Sequence, residues 1–131
     1  MKNPLDNYRR TDLMTANRET ILLMMYGGAM RFLKQAIEAG EAKDFIQMNK
    51  MVTKTQEIVN ELRSTLNFEV GGDIAKNLEM LYGFIAERLL QGCLDKEVKP
   101  LREALGIIET LNEAWEQAIA SLKKERVQSE K

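Results

Sequence analysis

Histidine is absent from this chain of 131 residues, and several classes of helical enzyme are excluded with it. Without histidine there are no Glu-x-x-His ligand pairs of the kind that hold di-iron centres in helical bundles. A histidine general acid or base and phosphotransfer through phosphohistidine are excluded for the same reason. The chain also lacks the Gly-rich loop with a following Lys-Ser or Lys-Thr that cradles nucleotide phosphates. These absences exclude the usual chemistry of helical-bundle enzymes, and they leave nucleotide binding without support in the sequence.

Cysteine is nearly absent as well. Cys93 is the single cysteine, so no intramolecular disulfide can form, and a disulfide-rich secreted scaffold is excluded. The N-terminus MKNPLDNYRR has no apolar stretch behind its positive charges, which argues against a cleaved signal peptide. The apolar run LLMMYGGAM ends at Arg31 and falls short of the ~20 residues that span a bilayer. We expect a cytoplasmic protein without membrane insertion.

Charge of one sign is not in excess. Lys and Arg number 19, Asp and Glu number 20, and the net charge is -1. Because the two signs are mixed along every segment, no basic stripe is available to neutralise phosphates. The composition therefore argues against nucleic-acid binding.

The stretch from Ile21 to Ile37 has an unusually wide apolar face. On a helical wheel its apolar residues cover an arc of roughly 200°, about twice the stripe that a surface helix needs. Only Gly27, Arg31, Lys34 and Gln35 occupy the remaining arc. This helix must therefore lie between two neighbours in a bundle or present part of its face to another chain.

Four segments have a 3.6-residue apolar period, and strand signals are almost absent, so the sequence predicts an all-α fold. Asn17 is a candidate N-cap and Gly40 a candidate left-handed C-cap of the first helix. Gly71-Gly72 reads as a break and Asp73 as the next N-cap, while Pro100 fits only a first helical turn. The predicted helices span about 18–39, 44–66, 74–91 and 99–123.

Similar lengths and short connections favour an antiparallel up-down four-helix bundle in a single domain, residues 1–131. Residues 1–16 are too apolar for a solvated tail and are expected to cap the bundle, whereas residues 124–131 are expected to fray. The predicted core stripes are Met48, Met51, Val52, Thr55, Ile58, Val59, Leu62 and Leu66 on the second helix, Ile74, Leu78, Leu81, Tyr82, Ile85 and Leu89 on the third, and Leu101, Ala104, Ile108, Leu111, Trp115 and Leu122 on the fourth.

Met80 and Phe84 lie four residues apart on the third helix and point away from its stripe, and Asn77 and Arg88 extend the same outer face. One interpretation is a groove for a partner helix. The other is the ordinary exposure of scattered apolar side chains, partly covered by the N-terminal segment. Eight methionines add adaptable contact surface, although methionine is also a common core residue.

Several separated motifs occur in order along the chain. They are Tyr8, Thr15-Ala16-Asn17, Leu22, Met25 to Ala29, Phe32-Leu33, Asn49, Thr55 to Leu62, Leu66, Gly71 to Leu78, Leu81-Tyr82 and Leu111 to Trp115. This order resembles the sequence pattern of the flagellar secretion chaperones for flagellin, the FliS family. The resemblance extends from about Tyr8 to Trp115 and therefore covers nearly the whole chain.

The resemblance implies a non-enzymatic export chaperone that is built as a helical bundle and needs no metal or other cofactor. Such a protein binds the disordered C-terminal segment of new flagellin one-to-one, prevents premature polymerisation in the cytoplasm and delivers the subunit to the flagellar export apparatus. A disordered tail can hide its apolar assembly face only by ordering on a preformed apolar surface, at about 1–2 kcal/mol of backbone entropy per residue. The contact is therefore expected to be large and distributed.

The resemblance also implies that the N-terminal segment covers part of the client surface when the client is absent. Leu5 and Tyr8 would form this cover, with Tyr8 as a self-competitor in a pocket between helices; the alternative is that Tyr8 only pins the segment for stability. Gln56 and Asn77 place side-chain amides where they would hydrogen-bond an extended client backbone. The residues predicted for the client groove are Met51, Gln56, Ile58, Asn77, Met80, Leu81 and Phe84.

Other notable side chains have structural interpretations. Tyr26 and Tyr82 are expected to place their rings in the bundle with the hydroxyl groups at its rim, and Trp115 is expected in the core. Cys93 is interpreted as a packing residue or a surface thiol. A second hypothesis keeps the bundle without a client: a structural or regulatory protein that buries its surplus apolar faces in a weak homodimer.

Overall fold

The computed structural model describes the backbone of residues 4–129 and the side chains of residues 17–129. Within this range the chain forms α1 (Pro4–Glu41), α2 (Phe45–Ser64), α3 (Phe68–Asp95) and α4 (Lys99–Ser129). α1 packs against α2 and α4, and α3 packs against the same two helices. The all-α helical bundle predicted from the sequence is confirmed.

The helices run up and down in turn. Connections of three residues reverse the chain between consecutive helices. Ion pairs show that α4 also runs antiparallel to α1: Glu41 near the end of α1 pairs with Arg102 near the start of α4, and Glu19 pairs with Arg126 near the end of α4. Each helix thus has two antiparallel neighbours, and α1 and α3 lie diagonally across the bundle.

This arrangement covers most of the wide apolar face of α1. α1 lies between α2 and α4, and it buries Tyr26, Ala29, Leu33 and Ala36 completely. Its predicted polar arc faces outward, where Arg31, Lys34 and Gln35 are exposed. α1 therefore lies between two neighbours, as the first of the two alternatives predicts, while Ile21 and Met24 of its apolar arc remain exposed.

The predicted start of α1 at Asn17 is wrong. The helix continues backward to Pro4, a residue that fits a first helical turn because the missing amide hydrogen has no intrahelical partner there. Residues 4–16 therefore continue α1 in their backbone, and their expected role as a cap on the bundle stays a prediction. With 38 residues α1 is about 57 Å long, against about 30 Å for the 20 residues of α2. The side chains of Leu5 and Tyr8 lie outside the described residues.

Gly40 is not a left-handed cap. It lies within α1, and the left-handed conformation belongs to Lys43, with φ of 60°. A Cβ atom at Gly40 would lie 2.6 Å from Val98 Cγ1 and 2.8 Å from Met48 Sδ. Glycine is therefore needed here because neighbouring side chains approach the backbone closely.

α3 begins before the predicted position. The side chain of Asn67 accepts hydrogen bonds from two backbone amides of the first turn, both at 3.1 Å, so Asn67 is the N-cap and the prediction for Asp73 is wrong. The expected break is present only as a kink at Gly72, with φ of 51° and ψ of -124°. Since a residue with a side chain rarely adopts this backbone conformation, the kink depends on glycine.

α4 begins at Lys99, as predicted, with Pro100 in its first turn. It does not end at Lys123 but continues to Ser129, and residues 130–131 lie outside the described range. The expected fraying of residues 124–131 stays a prediction. Lys, Glu, Arg and Gln in this stretch favour helix. The ion pair of Arg126 with Glu19 attaches it to α1.

Most predicted core residues are buried or partly buried, and three are exposed. Ile74 is 69% exposed, Leu122 is 46% exposed and Leu81 is 37% exposed. Because Arg63 of α2 pairs with Glu79 of α3, Ile74 lies beyond the end of α2. The predicted stripe residues that are buried are Met48, Met51, Val52, Thr55, Val59, Leu62, Tyr82, Ile85, Leu89, Leu101, Ala104 and Ile108.

Candidate functional site

Two tyrosines join the diagonal helices α1 and α3 inside the bundle. Tyr26 and Tyr82 are both buried, and their hydroxyl oxygens are 2.5 Å apart. The indole Nε1 of Trp115, from α4, donates a hydrogen bond to the Tyr26 hydroxyl at 3.1 Å. The prediction that these hydroxyl groups reach the rim is wrong, since they form a hydrogen bond with each other in the core. This network ties three helices together.

Burial raises the pKa of both tyrosine hydroxyls above the ordinary value of 10.0. For Tyr26 the hydrogen bonds with Tyr82 and Trp115 act in the opposite direction, and for Tyr82 the hydrogen bond with Tyr26 raises the pKa further. Both phenols are therefore neutral near pH 7. The network is a structural element of the bundle.

An apolar pocket opens beside this network, where α2 ends and α3 begins, next to Trp115 in the middle of α4. It has a volume of about 300 Å³ and is partly walled by exposed Val70 and Ile74. A neighbouring pocket between α1 and α2 shares Leu22 and Thr65 with it. The first pocket is lined by Leu22, Thr65, Leu66, Asn67, Val70, Gly71, Ile74, Ala75, Leu78, Tyr82 and Trp115.

The outer face of α3 has an exposed apolar surface, which we call the α3 ridge and define as Asn77, Met80, Leu81 and Phe84. The exposed fractions are 73% for Met80, 37% for Leu81 and 47% for Phe84, and Asn77 is also exposed. The guanidinium carbon of Arg88 lies 5.6 Å from the centre of the Phe84 ring. This cation–π contact orients the ring on the surface.

A groove of about 480 Å³ runs beside the α3 ridge, between α3 and α4. We call it the α3–α4 groove. Leu81 forms its α3 side, and Arg88 of α3 forms an ion pair of 3.5 Å with Glu103 at its border. The residues that line it are Leu81, Glu103, Gly106, Ile107, Thr110 and Leu111. The α4 wall of this groove was not predicted from the sequence. Ile107 is adjacent to the core stripe of α4, so the apolar pattern alone does not distinguish it from a core residue.

A second groove lies between α2 and α3 and includes Gln56 and Cys93. The Gln56 side chain donates a hydrogen bond from Nε2 to Asn60 Oδ1 at 2.9 Å. Cys93 is partly buried in the groove wall, and burial raises the pKa of its thiol. A neutral thiol in this position packs against the groove and is a poor nucleophile.

Of the residues predicted for a client groove, four lie together and three lie elsewhere. Asn77, Met80, Leu81 and Phe84 lie together on the α3 ridge. Met51 is only 4% exposed and belongs to the core. Ile58 is partly buried against α1, where a Cβ atom at Gly28 would lie 3.3 Å from Ile58 Cδ1. Gln56 lies apart, in the groove between α2 and α3.

None of the helices in the described part of the chain has both the length and the hydropathy needed to cross a membrane.

Comparisons of the sequence and of the fold with known proteins all find flagellar chaperones. The family model for the flagellar protein FliS matches residues 1–122. The chain is 30% identical over 126 residues to the flagellar secretion chaperone FliS of Bacillus subtilis (strain 168), covering 96% of this chain and 93% of that protein. It is 31% identical over 121 residues to the flagellar secretion chaperone FliS of Vibrio cholerae, covering 89% of each. The fold is similar to that in the crystal structure of a flagellar chaperone from bacteria, with a TM-score of 0.76, 19% identity and coverage of 91% of this chain and 99% of that chain.

Proposed function

This chain belongs to the FliS family of flagellar secretion chaperones, and we propose that it binds the disordered C-terminal segment of flagellin in a one-to-one complex. In this proposal the complex forms in the cytoplasm, where it prevents premature polymerisation of flagellin. The chaperone then delivers the subunit to the flagellar export apparatus.

The observation that supports the proposal is the exposed apolar surface of α3. Met80, Leu81 and Phe84 are adjacent on the α3 ridge, and the α3–α4 groove continues this surface onto Ile107 and Leu111. Each client residue that becomes ordered costs about 1–2 kcal/mol of backbone entropy, which burial of apolar side chains must offset. A client helix that lies in the α3–α4 groove can therefore also contact the exposed side chains of the α3 ridge.

Polar groups at the border give such a contact its orientation. Asn77 is exposed at one end of the α3 ridge, where its side-chain amide can pair with a client backbone group. Met51 and Ile58 are not part of the proposed surface, because the bundle itself covers them. Gln56 belongs to it only if the client also enters the groove between α2 and α3.

The proposal is tested by isothermal titration of the full-length protein with a peptide of the flagellin C-terminal segment from the same organism. We expect saturable one-to-one binding with a negative heat-capacity change, because apolar surface is buried. Circular dichroism of the mixture should show more helix than the sum of the two components. Absence of binding by a folded bundle would contradict the proposal.

The same samples distinguish the homodimer hypothesis. Sedimentation velocity of the protein without peptide measures its association state over a range of concentrations. A homodimer that persists when peptide is added, without added helix or heat, would favour a structural or regulatory role over a chaperone role.

Leu5 and Tyr8 enter the proposal as part of a cover over the client surface. If Tyr8 competes with the client, deletion of residues 1–12 is expected to raise the affinity for the flagellin peptide, because a competing intramolecular contact has been removed. The measurement is the same titration, with thermal unfolding of the truncated protein as the control for folding. An unchanged or lower affinity would contradict competition and support the role of Tyr8 in stability alone.

A further inference from the structure

Gly106 has no structural reason to be glycine in the described part of the bundle. It lies in the interior of α4 and is exposed, and a Cβ atom there would have no atom within 4 Å outside its own stretch of helix. Glycine in a helix interior is less stable than alanine by roughly 0.5–1 kcal/mol. Gly92 is different, because a Cβ atom there would lie 2.7 Å from Leu101 Cδ2. Packing within the chain explains Gly92 and leaves Gly106 unexplained.

The position of Gly106 distinguishes it from other open glycines. Gly27 of α1 and Gly83 of α3 also have open space at the Cβ position. Of these three, Gly106 is the one that lines the α3–α4 groove, beside Leu81 and Ile107. Its missing side chain leaves a notch in a wall that is otherwise formed by larger residues. A notch of this kind lets the backbone of a bound segment approach the helix closely.

The charges around the notch indicate what kind of segment fits it. From Glu103 to Leu122 the sequence of α4 contains four glutamates and no lysine or arginine. Glu113 is exposed and lies seven residues after Gly106, and therefore on the same face of the helix. At the other end of the groove Glu103 is already paired with Arg88. An occupant with an apolar row and a basic residue near Glu113 complements this surface.

We infer that Gly106 is the point of closest backbone approach between this chaperone and an amphipathic helix of its client. The inference rests on the proposed function and adds a residue that determines specificity. The client helix lies in the α3–α4 groove with its apolar row on Leu81, Ile107 and Leu111. A small client residue faces Gly106, and a basic client residue lies near Glu113.

The test compares the Gly106→Ala and Gly106→Leu variants with the natural chain in titrations with the flagellin peptide. Both variants should be as stable as the natural chain or more stable, because alanine and leucine are better helix formers than glycine. The affinity should nevertheless fall, by about threefold for alanine and more than about tenfold for leucine, since the added side chain separates the two backbones. Higher stability with lower affinity is a combination that misfolding cannot produce.

Gly27→Leu is the matched control. Gly27 is an open glycine in a helix interior on the polar arc of α1, so its substitution should raise stability without changing affinity. The inference is overturned if Gly106→Leu binds the peptide as tightly as the natural chain, or if Gly27→Leu weakens binding equally. It is also overturned if Gly106→Leu abolishes a homodimer and leaves peptide binding intact, since the occupant is then a second copy. Failure of the natural chain itself to bind the peptide overturns the proposed function, and this outcome differs from all the others.

Discussion

Replacing both Met80 and Phe84 by alanine is expected to weaken binding of the flagellin peptide by about 100-fold. The two side chains are the most exposed large apolar groups of the α3 ridge, and truncating a residue that contributes to the centre of an interface costs more than about 1 kcal/mol. Each loss of ~1.4 kcal/mol lowers affinity tenfold. Because neither side chain is buried in the bundle, the free energy of unfolding should change by less than about 0.5 kcal/mol for each substitution. Titration calorimetry and urea unfolding measure the two quantities on the same sample.

Ile46→Ala is the control for the loss of any exposed apolar side chain. Ile46 is 86% exposed at the start of α2, where a short connection separates it from the end of α1. Its truncation should leave affinity unchanged. If the Met80 and Phe84 double variant bound the peptide as tightly as the Ile46 variant, the α3 ridge would not be the client surface, and the client would have to bind elsewhere on the bundle.

Replacing Tyr82 by alanine is expected to lower the free energy of unfolding by about 3–5 kcal/mol. The substitution removes a buried aromatic ring and leaves the Tyr26 hydroxyl without the partner at 2.5 Å. Since small domains are stable by only about 5–15 kcal/mol, this is a large share of the total. Urea unfolding followed by circular dichroism measures it. A loss below about 1 kcal/mol would show that the network does not hold the three helices together.

The Tyr82→Phe variant separates the two contributions. It keeps the ring and removes only the hydroxyl group, so the expected loss is about 1–2 kcal/mol, from one hydrogen bond and a less satisfied Tyr26. Equal losses for the two variants would mean that the hydrogen bond, and not the ring, carries the stability of this part of the core.

The sequence predicted the helices best where local chemistry and tertiary packing agree. The α2 stripe, from Met48 to Leu62, repeats with the helical period along a helix covered on one side over its whole length. The start of α4 was predicted correctly because Pro100 is tolerated only in a first helical turn. In both places a local rule is sufficient, and the neighbouring helices do not override it.

The errors arise where a local signal is real but does not decide the structure. Asn17 is a good N-cap residue in isolation, yet nothing in residues 4–16 breaks a helix, so α1 continues through it. The two glycines before Asp73 do disturb the backbone, but Asn67 starts the helix earlier and Gly72 only kinks it. Similarly, Ile74 follows the apolar period correctly and is exposed because α2 ends before it reaches this residue. The apolar period of one helix does not show where the neighbouring helices end.

The α3 ridge was accessible to sequence reasoning because Met80 and Phe84 lie off the core stripe on one helix. The α4 wall of the groove was not, since it depends on which faces of two helices meet. Met51 is the opposite case, because it was predicted to contact the client and is buried. It lies at the edge of its stripe, and only the packing of the neighbouring helices shows that this edge is covered. The role inferred for Gly106 likewise required knowledge of the open space around its backbone.

The order in which the helices meet has a consequence for the speed of folding. Each helix packs on the next one in the chain, and only the contact of α4 with α1 joins distant parts of the sequence. Helical bundles dominated by such local contacts fold within microseconds to milliseconds, because little loop-closure entropy must be overcome. Protein synthesis, at about 5–20 residues per second, is far slower. A new copy of this bundle is therefore folded before a ribosome working beside it has added one more residue to a client.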